Sequence, residues 1–139
     1  MSSITYQNLP GPVGDCLKPL YATTAKVPVS PTTSLIYITG HIGLDLATGS
    51  LVSETPEAEF EAIFKCLDAA LKHAGAARGL AQSYRLTSYL VNAEDEKTMQ
   101  EVFQRLVPGH TPTWCTVLVN AINVKGMRAE ITAEGAAFE

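Results

Sequence analysis

The chain has 139 residues, of which 46% are hydrophobic and 17% are charged. A chain of this length and composition can build one domain with its own core and is too apolar for a disordered segment. The formal net charge is −4, from 10 Lys and Arg against 14 Asp and Glu. Because binding to phosphates normally needs a basic face, this balance argues against a protein that binds nucleic acid.

Targeting and metal-binding signals are missing from the sequence as well. The N-terminal segment lacks a basic stretch followed by an apolar run, and no stretch reaches the ~20 apolar residues that a membrane span requires. The three cysteines stand far apart, outside any CxxC pair, and the three histidines lack metal-ligand spacing. We therefore expect a single cytoplasmic domain over residues 1–139, without a membrane contact or a metal site.

The first part of the chain predicts short strands around an irregular segment. Residues 4–9 are typical of an edge strand, and the proline-rich residues 10–33 are expected to be irregular. The apolar run 34–39, which ends at a glycine, predicts a strand. Residues 44–52 are expected to form a hairpin, because a Thr-Gly pair makes a tight turn between two short apolar pieces.

Two amphipathic helices are predicted farther along the chain. Residues 57–74 carry an apolar stripe at spacings of three and four, with Thr55 as the N-cap and Pro56 at the first helical position. Residues 93–107 repeat this pattern, with Asn92 as the N-cap and a Pro-Gly pair after the last turn.

Three further strands are predicted, at residues 82–91, 113–119 and 128–133. This order of elements favours an α+β fold in which both helices lie on one face of a mixed sheet. Residues 35–38 and 117–119 are apolar on both sides of their strands, so the face without helices is expected to be buried too. A partner subunit would cover that face, and the sequence therefore predicts an oligomer.

Three polar residues are candidates for chemistry, each with a plainer interpretation beside it. His41 follows a strand that ends at Gly40, where the backbone can approach a ligand closely, but it could also only turn the chain. Cys115 lies beside Trp114 in a predicted strand and could be a small buried hydrophobic residue. Glu130 alternates with apolar neighbours, which is typical of a general acid or base and also of a solvated edge residue.

Several segments resemble the RidA family, also called YjgF. The sequence IYITGHIGLD at residues 36–45, followed by Thr48-Gly49, is similar to the family's VYVSGQIGLDPxTG segment. The resemblance continues through the first helix, the strand RLTSYL at residues 85–90 and the second helix. It closes with PTWC at residues 112–115 and AEI at residues 129–131, which are similar to the family's PARS and EIE blocks.

This resemblance implies a chorismate-mutase-like α+β fold and a homotrimer with ligand clefts between neighbouring subunits. The activity that it implies is hydrolysis of reactive enamine or imine intermediates to a 2-keto acid and ammonia, without a cofactor. In that chemistry an arginine of the PARS block clamps the substrate carboxylate, and a glutamate of the EIE block orients water or carries a proton.

The chain departs from the family pattern at the arginine, whose position is taken by Trp114. The glutamate is matched by Glu130, the serine of the family's VSG by Thr39 and, across an insertion, a tyrosine by Tyr21. Indole cannot replace a bidentate guanidinium, so the implied ligand is neutral or more apolar and lies against Trp114. The family's next acid is Thr132 in this chain.

The resemblance and the departure together predict a small-molecule enzyme that works without a cofactor. Glu130 would be the general acid/base for hydrolysis, isomerisation or cyclisation of a small imine, enamine, enol or carbonyl compound. The predicted substrate-binding residues are Trp114, Gly40, His41, Cys115, Thr39 and Tyr21. A non-catalytic module that binds small molecules or acts like a chaperone, with the same trimer clefts, is the alternative. Ribonuclease activity, a label of some relatives, is disfavoured by the acidic balance.

Overall fold

The computed structural model of the chain describes residues 3–139. Its strands are β1 Thr5–Gln7, β2 Thr24–Ser30, β3 Thr33–Ile38, β4 Ser83–Leu90, β5 Thr113–Leu118 and β6 Ala129–Phe138. Its helices are α1 Pro12–Asp15, α2 Pro56–His73 and α3 Asp95–Leu106, and a short 3-10 helix covers Gly79–Gln82.

The six strands form one mixed sheet in the order β1-β2-β3-β6-β4-β5. All neighbouring strands are antiparallel except β4 and β5, which run parallel with α3 as their crossover. Helices α2 and α3 pack side by side on one face, where Phe64 of α2 meets Phe103 of α3 at 5.2 Å between ring centroids. The predicted α+β class, with a mixed sheet and two helices on one face, is confirmed.

Helix α2 forms for the reasons that the sequence indicates. The Thr55 hydroxyl accepts the N–H of Ala58 at 3.1 Å, and Pro56 occupies the first turn, where its missing N–H costs nothing. The apolar stripe is fully buried against the sheet and α3. Its largest side chains are Phe60, Ile63, Phe64, Leu67 and Leu71. Burial of each such side chain stabilises the fold by about 1.5–3 kcal/mol.

The proline-rich segment 10–33 was predicted to be irregular, and this is wrong for half of its length, which is taken by α1, β2 and the first residue of β3. Strand β2 lies within it and pairs with both β1 and β3. Pro28 belongs to β2 and adjoins a bulge between Pro28 and Ser30, where the register shifts. A proline is tolerated at a bulge because the ladder lacks a hydrogen bond there in any case.

Three other boundaries differ from the sequence predictions. Strand β6 continues to Phe138 because its second half pairs with β3, and Gly135 leaves room there for α2, since a Cβ would lie 2.7 Å from Cδ2 of Leu71. Helix α3 begins at Asp95 without a side-chain cap, so Asn92 is not its N-cap. The predicted hairpin at residues 44–52 is reduced to a single bridge between Leu44 and Leu51.

The face of the sheet that the helices leave uncovered is called the open face below. Alternate residues of β6 point to it, among them Glu130, Thr132 and Glu134, while their neighbours are buried under the helices. Tyr37 and Val117 also lie on the open face and are 41% and 39% exposed. The open face therefore combines apolar side chains with the polar side chains of β6, and its burial by a partner subunit stays a prediction. No helix within residues 3–139 has the length and apolarity of a bilayer span.

Candidate functional site

A cavity of about 420 Å³, called the inner cavity below, opens where β3 ends. Its wall combines α1 and the segment after it, the turn that follows β3, the loop before β6, and one residue of β6. The lining residues are Val13, Cys16, Leu17, Tyr21, Thr39, Gly40, His41, Ile42, Leu44, Asn123, Val124 and Glu130. Five of the residues proposed from sequence as site residues meet here, from three separate segments of the chain.

The carboxylate of Glu130 lies directly against the backbone of Gly40. A Cβ at Gly40 would overlap Oε2 of Glu130 and would lie 3.0 Å from its Cδ. The register explains the approach: Tyr37 pairs with Glu134 but His41 pairs with Ile131, so the β3 side has one residue more than β6. Such a bulge bends the strand and is common beside active sites. The close approach seen at Gly40 is that of the Glu130 side chain, and the approach of a ligand to this backbone stays a prediction.

The start of β6, next to Glu130, is held by a partly buried ion pair. Glu59 of α2 is fully buried and accepts the backbone N–H groups of Arg128 at 2.7 Å and of Ala129 at 3.2 Å. The Arg128 guanidinium closes the pair at 2.9 Å and also donates to the carbonyl of Ser53 at 3.0 Å. The sequence did not single out Glu59 as a site residue, because its partner is far away along the chain.

His41 is a buried, neutral wall residue. Only 3% of it is exposed, and Nδ1–H donates to the carbonyl of Thr39 at 2.6 Å. Nε2 therefore carries a lone pair, and no residue within 3–139 donates to it. Burial lowers the pKa of His41 below its ordinary value of 6.5, and the hydrogen bond to Thr39 opposes this only in part. A histidine that only turned the chain would be expected at the surface, so the burial of His41 does not fit that plainer interpretation.

Thr39 and Tyr21 complete the mouth of the inner cavity. The Thr39 hydroxyl donates to the carbonyl of Ala22 at 2.6 Å and ties the end of β3 to the segment before β2. Tyr21 is 61% exposed, and its backbone is fixed by Leu17 and by the side chain of Asn8. The side chain of Tyr21 is thus anchored at the rim while its ring remains accessible to a ligand.

The structure does not bring Trp114 to this cavity. Its ring packs on the helix-covered face against Phe64 and Phe103, at 6.1 and 4.9 Å between centroids. Its indole N–H donates to the Ser88 hydroxyl at 2.7 Å. The Trp114 ring, expected as an aromatic wall of the ligand site, is instead partly buried and packs against the core of this protomer. Strand β5 turns this side chain toward two phenylalanines that come from other elements of the chain.

Cys115 also lies outside the inner cavity. It is exposed on the edge strand β5 and pairs in register with Thr87 of β4. Because successive residues of a strand point to opposite faces, Cys115 lies on the open face while its neighbour Trp114 lies in the core. The alternative that Cys115 is a small buried hydrophobic residue is therefore wrong.

A second cavity of about 320 Å³, the outer cavity, adjoins the first on the open face. Its lining residues are Tyr89, Val119, Ala121, Ile122, Asn123, Glu130 and Thr132. Glu130 and Asn123 line both cavities. The alternation of β6 is enough to place Thr132 on the same face as Glu130. The sequence did not indicate Tyr89 and Asn123, which come from other segments of the chain. No sequence signal marked the irregular loop that carries Asn123.

The charge of the two cavities is set by Glu130. Neither lining contains a lysine or an arginine. Arg85 is engaged on the open face by Glu134 at 3.6 Å, and Arg128 is engaged by Glu59. Within residues 3–139 the Glu130 carboxylate accepts no hydrogen bond and forms no ion pair. It is therefore available to a ligand, and the walls offer no cation to a second carboxylate.

Comparison with known proteins gives consistent matches. The model of the family described as Endoribonuclease L-PSP matches residues 19–136. The chain is 30% identical over 89 residues to Reactive Intermediate Deaminase A, chloroplastic, of Arabidopsis thaliana. That match covers 64% of this chain and 46% of the relative, so the matched region is less than half the length of that protein.

Solved structures match over nearly the whole chain. The crystal structure of RidA from the Antarctic bacterium Psychrobacter sp. PAMC 21119 superposes with a TM-score of 0.75 at 25% identity, covering 94% of this chain and 97% of that one. A putative endoribonuclease L-PSP from Entamoeba histolytica gives a TM-score of 0.79 at 19% identity, covering 96% and 98%. A putative endoribonuclease from Thermotoga maritima gives 0.78 at 22% identity, covering 100% of both chains. The chain shares their fold from end to end.

Proposed function

The chain belongs to the Endoribonuclease L-PSP family, the family of the RidA/YjgF proteins, and we propose that it is a deaminase of small reactive imines. Glu130 is the proposed catalytic group, and no cofactor takes part in the proposed reaction. The substrate class extends to enamines, which are tautomers of imines. Related enols and carbonyl compounds are further candidate substrates, on which the same acid/base group would catalyse isomerisation or cyclisation.

The observation that carries the proposal is the position of the Glu130 carboxylate. It lies on the backbone of Gly40, at the junction of two cavities, and is free of protein hydrogen bonds within residues 3–139. A carboxylate that has no protein partner and faces space for a ligand can accept a proton and return it, which is what a single general acid/base must do.

The proposed reaction balances with water as the only co-reactant. Water adds to the imine carbon, and Glu130 takes one proton from this water and passes it to the imine nitrogen, which gives a neutral carbinolamine. Glu130 then takes the proton of the carbinolamine hydroxyl and gives it to the nitrogen as the C–N bond breaks, so that ammonia leaves and the carbonyl group forms. Each imine and water molecule yields one carbonyl compound and one ammonia.

The substrate is proposed to be neutral at the group beside the reacting carbon. A 2-imino acid would place its carboxylate near Glu130 without a lysine or arginine from the walls of this protomer. The carboxylates of the substrate and of Glu130 would repel each other, and this repulsion grows when water is excluded. The sequence predicted a neutral ligand because Trp114 was expected in the ligand site. Trp114 lies outside both cavities, and the proposal of a neutral ligand now rests on the two linings, which contain no lysine or arginine.

The protein is further proposed to act as a cytoplasmic homotrimer with a ligand cleft between subunits. Support comes from the open face, where Tyr37, Tyr84 and Val117 are 41%, 38% and 39% exposed. A chain of 14.9 kDa should therefore sediment at about three times this mass, and a monomer at micromolar concentration would overturn the assembly. The free thiols of Cys16, Cys66 and Cys115 suit a reducing compartment.

The function is tested with two imines of the same shape that differ in charge. A flavin oxidase generates them from leucine and from leucinamide, and semicarbazide traps whatever imine survives. We expect the protein to suppress semicarbazone formation from the leucinamide imine and to leave that from the leucine imine nearly unchanged. Suppression of the leucine imine alone would show that a cation outside the two linings clamps the substrate. Suppression of neither would refute the proposed deamination.

A further inference from the structure

We propose that the outer cavity is a specificity subsite for a neutral hydrogen-bonding group of the ligand, an amide or a hydroxyl. The aliphatic part of the same ligand occupies the inner cavity, and its reacting carbon lies at Glu130 between them. This inference rests on the proposed function and deepens it, since it names the class of substrate that the site selects.

The two cavities are contiguous at the reacting group. Glu130 and Asn123 belong to both linings, so the carboxylate forms part of the partition between about 420 Å³ and about 320 Å³ of space. A ligand that reaches Glu130 from the inner side has room to extend past it. A molecule confined to the inner cavity would leave the second space to water.

The polar groups of the outer cavity point to what it binds. Tyr89 pairs in register with Glu130, and Thr132 is the next residue of β6 on the same face. Both residues line the outer cavity together with Glu130, so a small group bound there lies against all three side chains. Each hydroxyl can donate and accept, and neither is engaged by a group within residues 3–139.

The chemistry of the walls separates a neutral group from a charged one. The outer lining contains no cation, and its one charged residue is the negative Glu130. A carboxylate there would lose water without gaining a partner of opposite charge, whereas an amide would exchange its water for Tyr89 and Thr132. The inner wall contributes the aliphatic side chains of Leu17 and Val124, which suit a branched aliphatic chain.

The test uses two probes, isovaleramide and isovalerate, which share an aliphatic arm and differ in charge. Each is titrated into the assembled protein while the backbone amide resonances are followed by NMR. We expect isovaleramide to shift resonances of the inner wall, such as Gly40, and of the outer wall, such as Thr132. Isovalerate should bind at least tenfold more weakly.

Variants assign the effect to the subsite. Thr132→Val keeps the shape and removes the hydroxyl, and it should weaken isovaleramide binding about fivefold, the value of one neutral hydrogen bond. Thr33→Val is the matched control, since Thr33 lies at the far end of β3, paired with Phe138. It should leave the affinity unchanged.

Three results would overturn the inference: shifts confined to the inner wall, equal affinity for both probes, or no binding of isovaleramide. Equal effects of Thr132→Val and Thr33→Val would also overturn it. Because these experiments measure binding, they are separate from the deaminase assay. Binding across both cavities without imine turnover would support the subsite and refute the proposed function. Imine turnover without shifts of the outer wall would support the proposed function and refute the subsite.

Discussion

Glu59 and Arg128 stand 69 residues apart in the chain and form an ion pair of 2.9 Å that fixes the start of β6. The same carboxylate accepts two backbone N–H groups of that strand. Since Glu130 follows immediately, the geometry of the candidate site depends on a contact between α2 and β6 outside both cavities. Glu59 also lies close to Gly43, where a Cβ would be 2.9 Å from its Cγ.

Glu59→Gln should lower the free energy of unfolding by roughly 3 kcal/mol, because it leaves the partly buried Arg128 without its counter-charge. Urea unfolding measures the loss. Glu57→Gln is the matched control, an exposed acid in the same helical turn, and should cost less than about 1 kcal/mol. Equal losses in both variants would mean that Glu59 serves only the helix dipole.

Gly40→Ala should displace the Glu130 carboxylate without unfolding the protein. The added methyl group meets the tip of a flexible side chain, and Gly40 does not have the positive φ that favours glycine. We expect imine turnover to fall about tenfold or more, as for a misplaced acid/base. A double-mutant cycle with Glu130→Ala checks the cause: Gly40→Ala should have no further effect once the carboxylate is removed.

Acid should destabilise the fold through His41. Burial lowers the pKa of the folded imidazole below 6.5, so the unfolded chain binds a proton that the folded chain does not. The free energy of unfolding should therefore fall as pH drops below about 6.5, by up to ~1.4 kcal/mol per pH unit until the folded imidazole itself titrates.

The matched variants for His41 separate its contribution from general acid denaturation. His41→Asn keeps an N–H donor for the Thr39 carbonyl and removes the titration, so its stability should depend less steeply on pH. His73→Asn removes an exposed imidazole at the end of α2 and should keep the wild-type slope. An unchanged slope in His41→Asn would contradict the assigned cause.

Replacing Trp114 should affect stability before it affects ligand binding. Trp114→Phe loses the hydrogen bond to Ser88 and leaves a buried hydroxyl unpaired, which should cost about 1–3 kcal/mol in urea unfolding. Trp114→Arg, which introduces the arginine that the resemblance implies here, should place a guanidinium against Phe64 and Phe103 and destabilise the protein further. A stable Trp114→Arg variant that deaminates the leucine imine would refute the core assignment.

The sequence predicted best where a local pattern determines the structure. Helix α2 follows from Thr55, Pro56 and one apolar stripe, all within a few turns of each other. Strand β2 was hidden because Pro28 argues against a strand unless the bulge beside it is known. The face taken by Trp114 could not be predicted, because β5 lacks a clear alternation and the deciding contacts come from α2 and α3.

The sequence predicted several residues of the candidate site but not the two cavities that they line. The strand-end and alternation patterns indicated Gly40, His41 and Glu130, the resemblance to the family added Thr39 and Tyr21, and the structure places all five on the inner cavity. The outer cavity depends on the loop at residues 119–123 and on the pairing of Tyr89 with Glu130. Such a pairing joins distant strands, and one sequence contains no pattern that specifies it.

The account depends most directly on Glu130, and the decisive measurement is the turnover of the leucinamide imine by Glu130→Gln. The amide keeps the shape of the carboxylate and removes its ability to carry a proton, so turnover should fall about 10²-fold or more in a protein that remains folded and assembled. Glu134→Gln, on the same face of β6 and outside both linings, should stay near the wild-type rate. Wild-type turnover by Glu130→Gln, or equal losses in both variants, would contradict the account.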